Sequence, residues 1–415
     1  MSILVLVAGP AFACPTIATG TPSPLSFDTA QVAIVRDGDR TTFSVSINPK
    51  GDPQGFALVL PVPEVLAEDE IRTLDPNLFY TLDAFTAPRT VADAGCAQPQ
   101  FDQSGSDDSA GSAEGPSETG DVTVEAEYLV GEYQVVILSA DQSVNLEIWL
   151  ESNGYHLPEG ANDRLREYID AGSYFLAARV ADTAAVADGT PLSPLQLSYQ
   201  SPVYAIPIRL AALNSPGVQD MVIYAMGRRA DGVVGISNYT GFEVKDQCIW
   251  GDPATDDFAQ FYKDRFVAAW TGLEDAGWAV EFAGGLYDCS PCTSVFPTED
   301  DIAAIGFAGD SEDFFLTRLK VRYTPDQADA DLSLYASGLV EPSVLSFADD
   351  NSLNRDCIDA CRDPIAIGGC GGDGEGHVTS DGKGGSGAGC GCDAGGAGGS
   401  MLVVGIAAAL RRRKR

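Results

Sequence analysis

Gln31-Val32-Ala33-Ile34-Val35-Arg36, the turn Asp37-Gly38-Asp39 and Thr41-Thr42-Phe43-Ser44-Val45-Ser46-Ile47-Asn48 decide the fold class. Both flanks are rich in alternating β-branched residues, and the Asp-Gly centre tolerates the backbone torsions of a tight reversal. Together they predict an antiparallel hairpin. Downstream, Phe56 to Val62 is a continuous apolar run ended by Pro61 and Pro63, which predicts a third strand. Leu74, Leu78, Leu82 and Phe85 recur at helical spacing, and Pro88 stops the pattern.

The same signals repeat along the chain. Val122 to Val130 and Tyr133 to Leu138 read as strands across Gly131. Ser139 and Gln142 are spaced as a capping box, so a helix is expected from there to about Ser152. A second helix is expected from Glu159 to Ala171, ended by Gly172. Tyr174 to Val180, Leu195 to Tyr199, Ile206 to Leu213 and Gln219 to Met226 read as strands, joined by short Pro- and Gly-containing links of the antiparallel kind. Phe258 to Trp270 reads as a helix, Trp278 to Phe282 and Phe314 to Tyr323 as strands, and Pro297 points to a new element near Thr298. The fold class that follows is α+β, with antiparallel sheets and a few short helices.

Composition divides the chain. Residues 1–13 read as a signal peptide: Ile3 to Ala8 is its apolar core, and Ala11-Phe12-Ala13 fits the small-x-small rule for cleavage before Cys14. Acylation of Cys14 is the alternative, which Phe12 fits poorly. A main α+β domain is expected over 14–245, with a flexible acidic insertion at 103–121 that is rich in Ser, Gly, Asp and Glu. A smaller cysteine-containing α+β part is expected over 246–350, then a Gly/Cys-rich tether over 351–394. The end, 395–415, reads as a sorting signal and membrane anchor. Its apolar run to Leu410 would span about 24 Å as a helix, short of a ~30 Å hydrocarbon core. Arg411, Arg412, Arg413, Lys414 and Arg415 would hold that end on the cytoplasmic side, so the bulk of the chain is expected outside.

The net charge is −35, and without the five basic residues of the tail it is −40. Such a body repels nucleic acid and anionic lipid surfaces, so no nucleic-acid partner is expected. The expected partners are the membrane, through the C-terminal segment, and the envelope's sorting or processing machinery. The sequence names no ligand.

Ten cysteines in an exported chain read as disulfides. Eight precede the tail: Cys14, Cys96, Cys248, Cys289, Cys292, Cys357, Cys361 and Cys370. They allow 105 connectivities. Cys14 with Cys96 is the one pairing suggested by position, which leaves six cysteines to staple the C-terminal half.

Several stretches resemble an uncharacterised bacterial family, domain of unknown function 2330. They are Gly55-Phe56-Ala57-Leu58-Val59-Leu60-Pro61-Val62-Pro63, Phe85-Thr86-Ala87-Pro88-Arg89, Val130-Gly131-Glu132-Tyr133 through Ala140, Trp149-Leu150-Glu151-Ser152-Asn153-Gly154-Tyr155, Leu192-Ser193-Pro194-Leu195 and Leu316-Thr317-Arg318-Leu319. The tail is similar to the myxobacterial C-terminal sorting signal, with Cys390 or Cys392 as the matching cysteine. That resemblance implies surface sorting, with removal of the tail near that cysteine. Neither resemblance implies an activity.

Chemistry-bearing residues are few or uninformative. Histidine is limited to His156 and His377. A serine–histidine–acid triad would have to use His156, and no Gly-x-Ser-x-Gly elbow sits in a strand–turn–helix setting, so His156 reads as structural. Two histidines also exclude multi-histidine zinc sites of the protease kind. Cys289-Ser290-Pro291-Cys292 is spaced as a redox pair, but a reactive thiolate needs a helix N-terminus, and Thr293-Ser294-Val295-Phe296-Pro297 does not start a helix. The motif therefore reads as a structural bridge. A zinc site joining Cys289, Cys292, Cys357 and Cys361 is chemically open and disfavoured by an oxidising destination. Asp256-Asp257, Glu299-Asp300-Asp301 and the set Asp326, Asp329, Asp331 are carboxylate groups of the kind used for acid–base work or calcium, but none follows the calcium-loop template. The expectation is a non-enzymatic envelope protein without a cofactor or metal. The competing readings are a thiol-redox enzyme using Cys289 and Cys292, and a carboxylate-dependent hydrolase.

Overall fold

A computed structural model describes residues 16–19, 26–27, 30–46, 49–50, 56–91, 122–140, 143–153, 157, 160–181, 192–213, 217–244, 258–288 and 293–348. The first half of the chain forms strands β1 (Thr16–Thr19), β2 (Ser26–Phe27), β3 (Ala30–Asp37), β4 (Arg40–Ser46), β5 (Pro49–Lys50), β6 (Phe56–Val62), β7 (Ile71–Thr73), β8 (Arg89–Val91), β9 (Val122–Val130), β10 (Tyr133–Ala140), β11 (Tyr174–Val180) and β12 (Leu195–Gln200). Strands β13 (Ala205–Ile206), β14 (Gln219–Arg228), β15 (Val234–Ile236), β16 (Thr240–Gly241), β17 (Gly277–Gly284), β18 (Phe314–Tyr323), β19 (Leu332–Ala336), β20 (Ser343–Val344) and β21 (Ser346–Ala348) follow. The helices are α1 (Asn77–Thr86), α2 (Ser143–Ser152), α3 (Ala161–Asp170), α4 (Arg209–Ala212), α5 (Phe258–Trp270) and α6 (Glu299–Ala304).

Two sheets carry the architecture. One has five strands in the order β1-β6-β11-β10-β9. The other has nine, with the path β16-β17-β18-β14-β3-β4-β12-β7 and β20 beside β17. They pack face to face. Leu58, Leu60, Val135, Ile137, Leu176 and Ala178 of the smaller sheet meet Val32, Ile34, Phe43, Leu197, Ile223 and Leu319 of the larger in one apolar core. Alternation along each strand sends the intervening side chains to the outer faces. On the larger sheet, Val35, Tyr224, Met226 and Leu316 meet Leu78, Phe79, Leu82 and Phe85 of α1 and Ile302 of α6. On the smaller, Val59, Leu138 and Phe175 meet Leu146 and Leu150 of α2, Leu165 of α3 and Leu210 of α4. The layers run helix, sheet, sheet, helix.

The α+β expectation holds. The β3–β4 hairpin pairs Gln31 with Ser46 and Asp37 with Arg40, and Gly38 at φ 59° sits in its turn. The five-stranded sheet is antiparallel throughout, whereas the nine-stranded sheet is mixed, because β14 runs parallel to β3 and β16 parallel to β17. Ile206 to Leu213 is not a strand. It divides into β13 and α4 after Pro207, since the Asp331 carboxylate accepts from the backbone N–H groups of Ile208 (3.1 Å) and Arg209 (3.3 Å) and starts a helical turn. Ser139 caps no helix: β10 stays paired with β9 as far as Ala140, opposite Val122, and the Ser139 hydroxyl donates to Glu125. The first helix begins at Asn77 instead of Leu74, with Asp75 Oδ1 accepting from the Asn77 N–H at 2.9 Å.

Strands from both sides of the expected 245/246 boundary lie in the nine-stranded sheet, and Met1–Gln247 forms one compact unit with Asp257–Phe347. Among the described residues no helix is long and apolar enough to cross a membrane. The expected signal peptide, acidic insertion, tether and anchor lie outside the described residues, as do all ten cysteines.

Candidate functional site

Strand β18 alternates Phe315, Thr317, Leu319, Val321 and Tyr323 with Phe314, Leu316, Arg318, Lys320 and Arg322. The first set points into the space between the sheets. The second lies on the outer face, where α1, α6 and α5 cover it, so three cations in a row sit beneath helices instead of in water. This is the densest concentration of buried charge among the described residues.

Arg318 is the hub. The residue is 6% exposed, and its Nε donates to Glu281, which is 1% exposed. Glu281 reaches it through a bulge. The β17–β18 register shifts between Val280 and Phe282, leaving Glu281 as the extra residue on its strand. Tyr262 of α5 donates its hydroxyl to the other Glu281 oxygen. On the α1 side, Arg318 Nη1 lies 2.8 Å from Asp83 Oδ1 and 3.2 Å from Thr86 Oγ1. Asp83 Oδ1 also accepts from Tyr224 at 3.2 Å, and Tyr224 in turn accepts from Gln31 Nε2 at 3.2 Å. One network thus joins β3, β14, β17, β18, α1 and α5.

The electrostatics follow from burial. Burial alone would lower the Arg318 pKa, but Tyr224, Glu281 and Asp83 outweigh it and hold the guanidinium firmly protonated. Burial, then the Glu281 charge, pushes the Tyr262 phenol far above its usual range. Arg89, at the end of the Phe85-Thr86-Ala87-Pro88-Arg89 motif, is lowered by burial and by Arg318, while its guanidinium donates to the carbonyls of Phe85 and Ala87 that end α1. A buried pair of this kind contributes little net stability when intact and costs several kcal/mol when half of it is removed.

Further along β18, Lys320 Nζ lies 4.6 Å from the ring centroid of Tyr262 and 4.5 Å from that of Phe266. Arg322 stacks on Trp270 at 5.2 Å and bonds both Asp220 oxygens at 2.9 and 2.7 Å. Tyr262, Phe266 and Trp270 are four residues apart, one face of a helix, and form a ladder of rings over the row of cations. Arg322 Nε and Trp270 Nε1 are buried without a hydrogen-bond partner.

Two smaller braces complete the picture. Asp331 Oδ1 accepts from Tyr168 at 2.7 Å, and the Asp331 carboxylate pairs with Arg209 at 3.3 Å, pinning α3 and α4 to the segment before β19. Tyr133 donates to the Ser193 carbonyl at 2.8 Å, and the Ser193 N–H donates to Glu132 at 2.7 Å. The Val130–Ala140 stretch is thereby locked to Leu192-Ser193-Pro194-Leu195.

Of the residues singled out from sequence, His156, His377, Asp256, Asp257, Ala13, Arg411–Arg415 and every cysteine lie outside the described residues. Asp301 is the third residue of α6 and the partner of its cap, Thr298: the Asp301 N–H donates to Thr298 Oγ1 at 3.1 Å, and its carboxylate accepts from the Thr298 N–H at 2.7 Å. Asp329 is exposed, 3.9 Å from Arg164. Asp331 is saturated by the brace above. No group of three or more Asp, Glu, His or Cys side chains among the described residues could hold a metal ion. The network around Arg318 was missed because charges alternating with apolar residues on a strand read as a solvated face. The available signal was the helical spacing of Tyr262, Phe266 and Trp270, an aromatic face that needed something to cover.

Neither a curated protein nor a solved structure matches the chain in sequence or fold comparison. A family model described as "uncharacterized protein conserved in bacteria (DUF2330)" matches residues 8–335. Spanning most of the chain and both sheets, that match shows that the protein belongs to this family of uncharacterized proteins conserved in bacteria.

Proposed function

We propose that this chain is an exported, envelope-attached protein whose folded body is a rigid, non-enzymatic platform for binding or for surface structure. One observation carries the reading. Several polar side chains of the stretches quoted for the family resemblance form internal braces. Glu132 and Tyr133 fasten to Ser193, and Thr86 and Arg318 meet across 232 residues of sequence in the network with Glu281 and Asp83. Both Glu281 oxygens are engaged, one by Arg318 and one by Tyr262, as in a strut.

Export and attachment rest on the sequence. The apolar start ending in Ala13, ten cysteines, a glycine-rich stretch and the Arg411–Arg415 cluster after an apolar run compose an envelope-delivery pattern. Residues 395–415 serve as the attachment in this reading, with the acidic body outside. Deleting them should release the protein into the medium with its fold intact by circular dichroism. Retention of the shortened chain in the membrane fraction would overturn the assignment.

A further inference from the structure

We propose that the free edge of β9 docks an extended segment of a partner protein in which lysine or arginine alternates with apolar residues, added to the five-stranded sheet as a further strand. β9 is the last strand of that sheet, next to β10. It is nine residues long and carries neither lysine nor proline, two common guards of an edge. The turn Gly131-Glu132 has two residues, so Val130 and Tyr133 flank it as a hydrogen-bonded pair, and the pattern alternates from there. Tyr128 with Val135 and Ala126 with Ile137 are the next such pairs. The backbone N–H and C=O groups of Leu129 and Glu127 therefore point away from β10, to the open side. Leu129 is 45% exposed, and Thr123, Glu125 and Glu127 are exposed as well.

Charge and shape say what this edge accepts. On its inner flank, the Tyr128 hydroxyl donates to the Leu66 carbonyl at 3.1 Å, which brings the Glu68–Glu70 turn beside the strand. Burial, and then the charges of Glu68, Asp69 and Glu70, raise the pKa of the Tyr128 phenol. The outer flank differs. There Glu127 lies opposite Val136, which packs on the outer apolar cluster, and Gln134 links Glu127 to Arg179. Leu129 shares that face, and α2 closes it with Trp149, half-buried on the same cluster as Val124. One flank is thus acidic, and the other offers Leu129 and an indole around a single carboxylate. An extended segment sends successive side chains to opposite faces, so basic residues at alternate positions meet Glu68, Asp69 and Glu70 while the apolar ones between them meet Leu129 and Trp149. A second copy of this chain is the wrong occupant. Each carries a net charge of −35, and two β9 strands would bring Glu125 and Glu127 of both into one seam. The carboxylates that repel a like strand attract a cationic one.

This deepens the platform reading by naming the class of partner. The full-length chain is titrated with the fluorescently labelled peptide Lys-Val-Lys-Val-Lys-Val-Lys, binding is read by anisotropy, and amide hydrogen exchange is followed over 122–130. Saturable binding is expected, with exchange slowed at the Glu127 and Leu129 amides. In the proposed register the valine N–H groups face β9, so methylating those nitrogens keeps the charge, removes the donors and should weaken binding about tenfold. Leu129→Pro removes an outward N–H without touching the β10 ladder and should do the same, and Glu127→Lys should also weaken binding while circular dichroism shows an intact fold. No binding, equal binding of the methylated peptide, or binding without protection of β9 would overturn the added strand. So would a dimer, formed without peptide, in which the same amides are protected. Each of these results leaves the release test of the attachment reading untouched.

Discussion

Replacing Glu281 with glutamine probes the brace at its most buried point. Glu281 is 1% exposed, and its carboxylate serves two donors, Tyr262 and Arg318. Glutamine keeps the shape but offers only one acceptor oxygen, so an amide N–H must face either the phenol or the guanidinium. Removing one half of a buried ion pair costs about 3–5 kcal/mol. The lower end, about 3 kcal/mol, applies because Asp83 remains 2.8 Å from Arg318 as a second counter-charge. For a body of this size about 2 °C is lost per kcal/mol, which places the melting midpoint roughly 6 °C lower. A urea titration followed by tryptophan fluorescence reads the change, since Trp270 packs against Arg322 on the same strand. Glu281→Leu combined with Arg318→Met replaces the pair by apolar groups and should return to within about 1 kcal/mol of the parent. A loss below about 0.5 kcal/mol for Glu281→Gln, or a double variant as unstable as the single one, would refute the strut.

Other consequences are independent of that pair. Gln219 is fully buried with neither amide atom hydrogen-bonded, so Gln219→Leu should raise stability by about 1–2 kcal/mol in the same titration. Asp331→Ala removes the acceptor of Tyr168, Arg209 and the first N–H groups of α4, and should lower stability by about 3 kcal/mol, with the greatest gain in hydrogen exchange over 205–213. Hydrogen bonding from Arg229 holds the Asp288 carboxyl below its usual value of 3.8, so its contribution is present above that pH and is lost as pH falls below it. Asp288→Asn should flatten the acid limb of the stability profile there and lower stability at neutral pH, where the contribution is fully present.

The strands were legible where a continuous or alternating apolar run is bounded by turn residues. Phe56–Val62, Tyr174–Val180 and Phe314–Tyr323 all form with the expected bounds, and the Gly38 turn joins the expected hairpin. Pairing was less legible, because the parallel contact of β14 with β3 depends on a crossover through β13 and α4 that local pattern does not specify. Ile206–Leu213 misled for a physical reason: its apolar residues face two different cores, Ile206 and Ile208 between the sheets and Leu210 under α2 and α3, and a carboxylate 123 residues away from Ile208 starts the helical turn. The Arg318 row was read only as part of a strand, with no site attached to it. What covers it comes from α1 and α5, elements distant in sequence, so local pattern could not reveal the buried network.

The most direct test of the account is where the body resides and in what redox state. Intact cells producing the protein are treated with a non-permeant protease and a thiol-capping reagent, and the protein is recovered by mass spectrometry. The account predicts that the acidic body is cleaved from the outside and that Cys248, Cys289, Cys292, Cys357 and Cys361 escape capping because they are oxidised. Full-length protein protected in the cytosol, with those thiols capped after lysis, would contradict it.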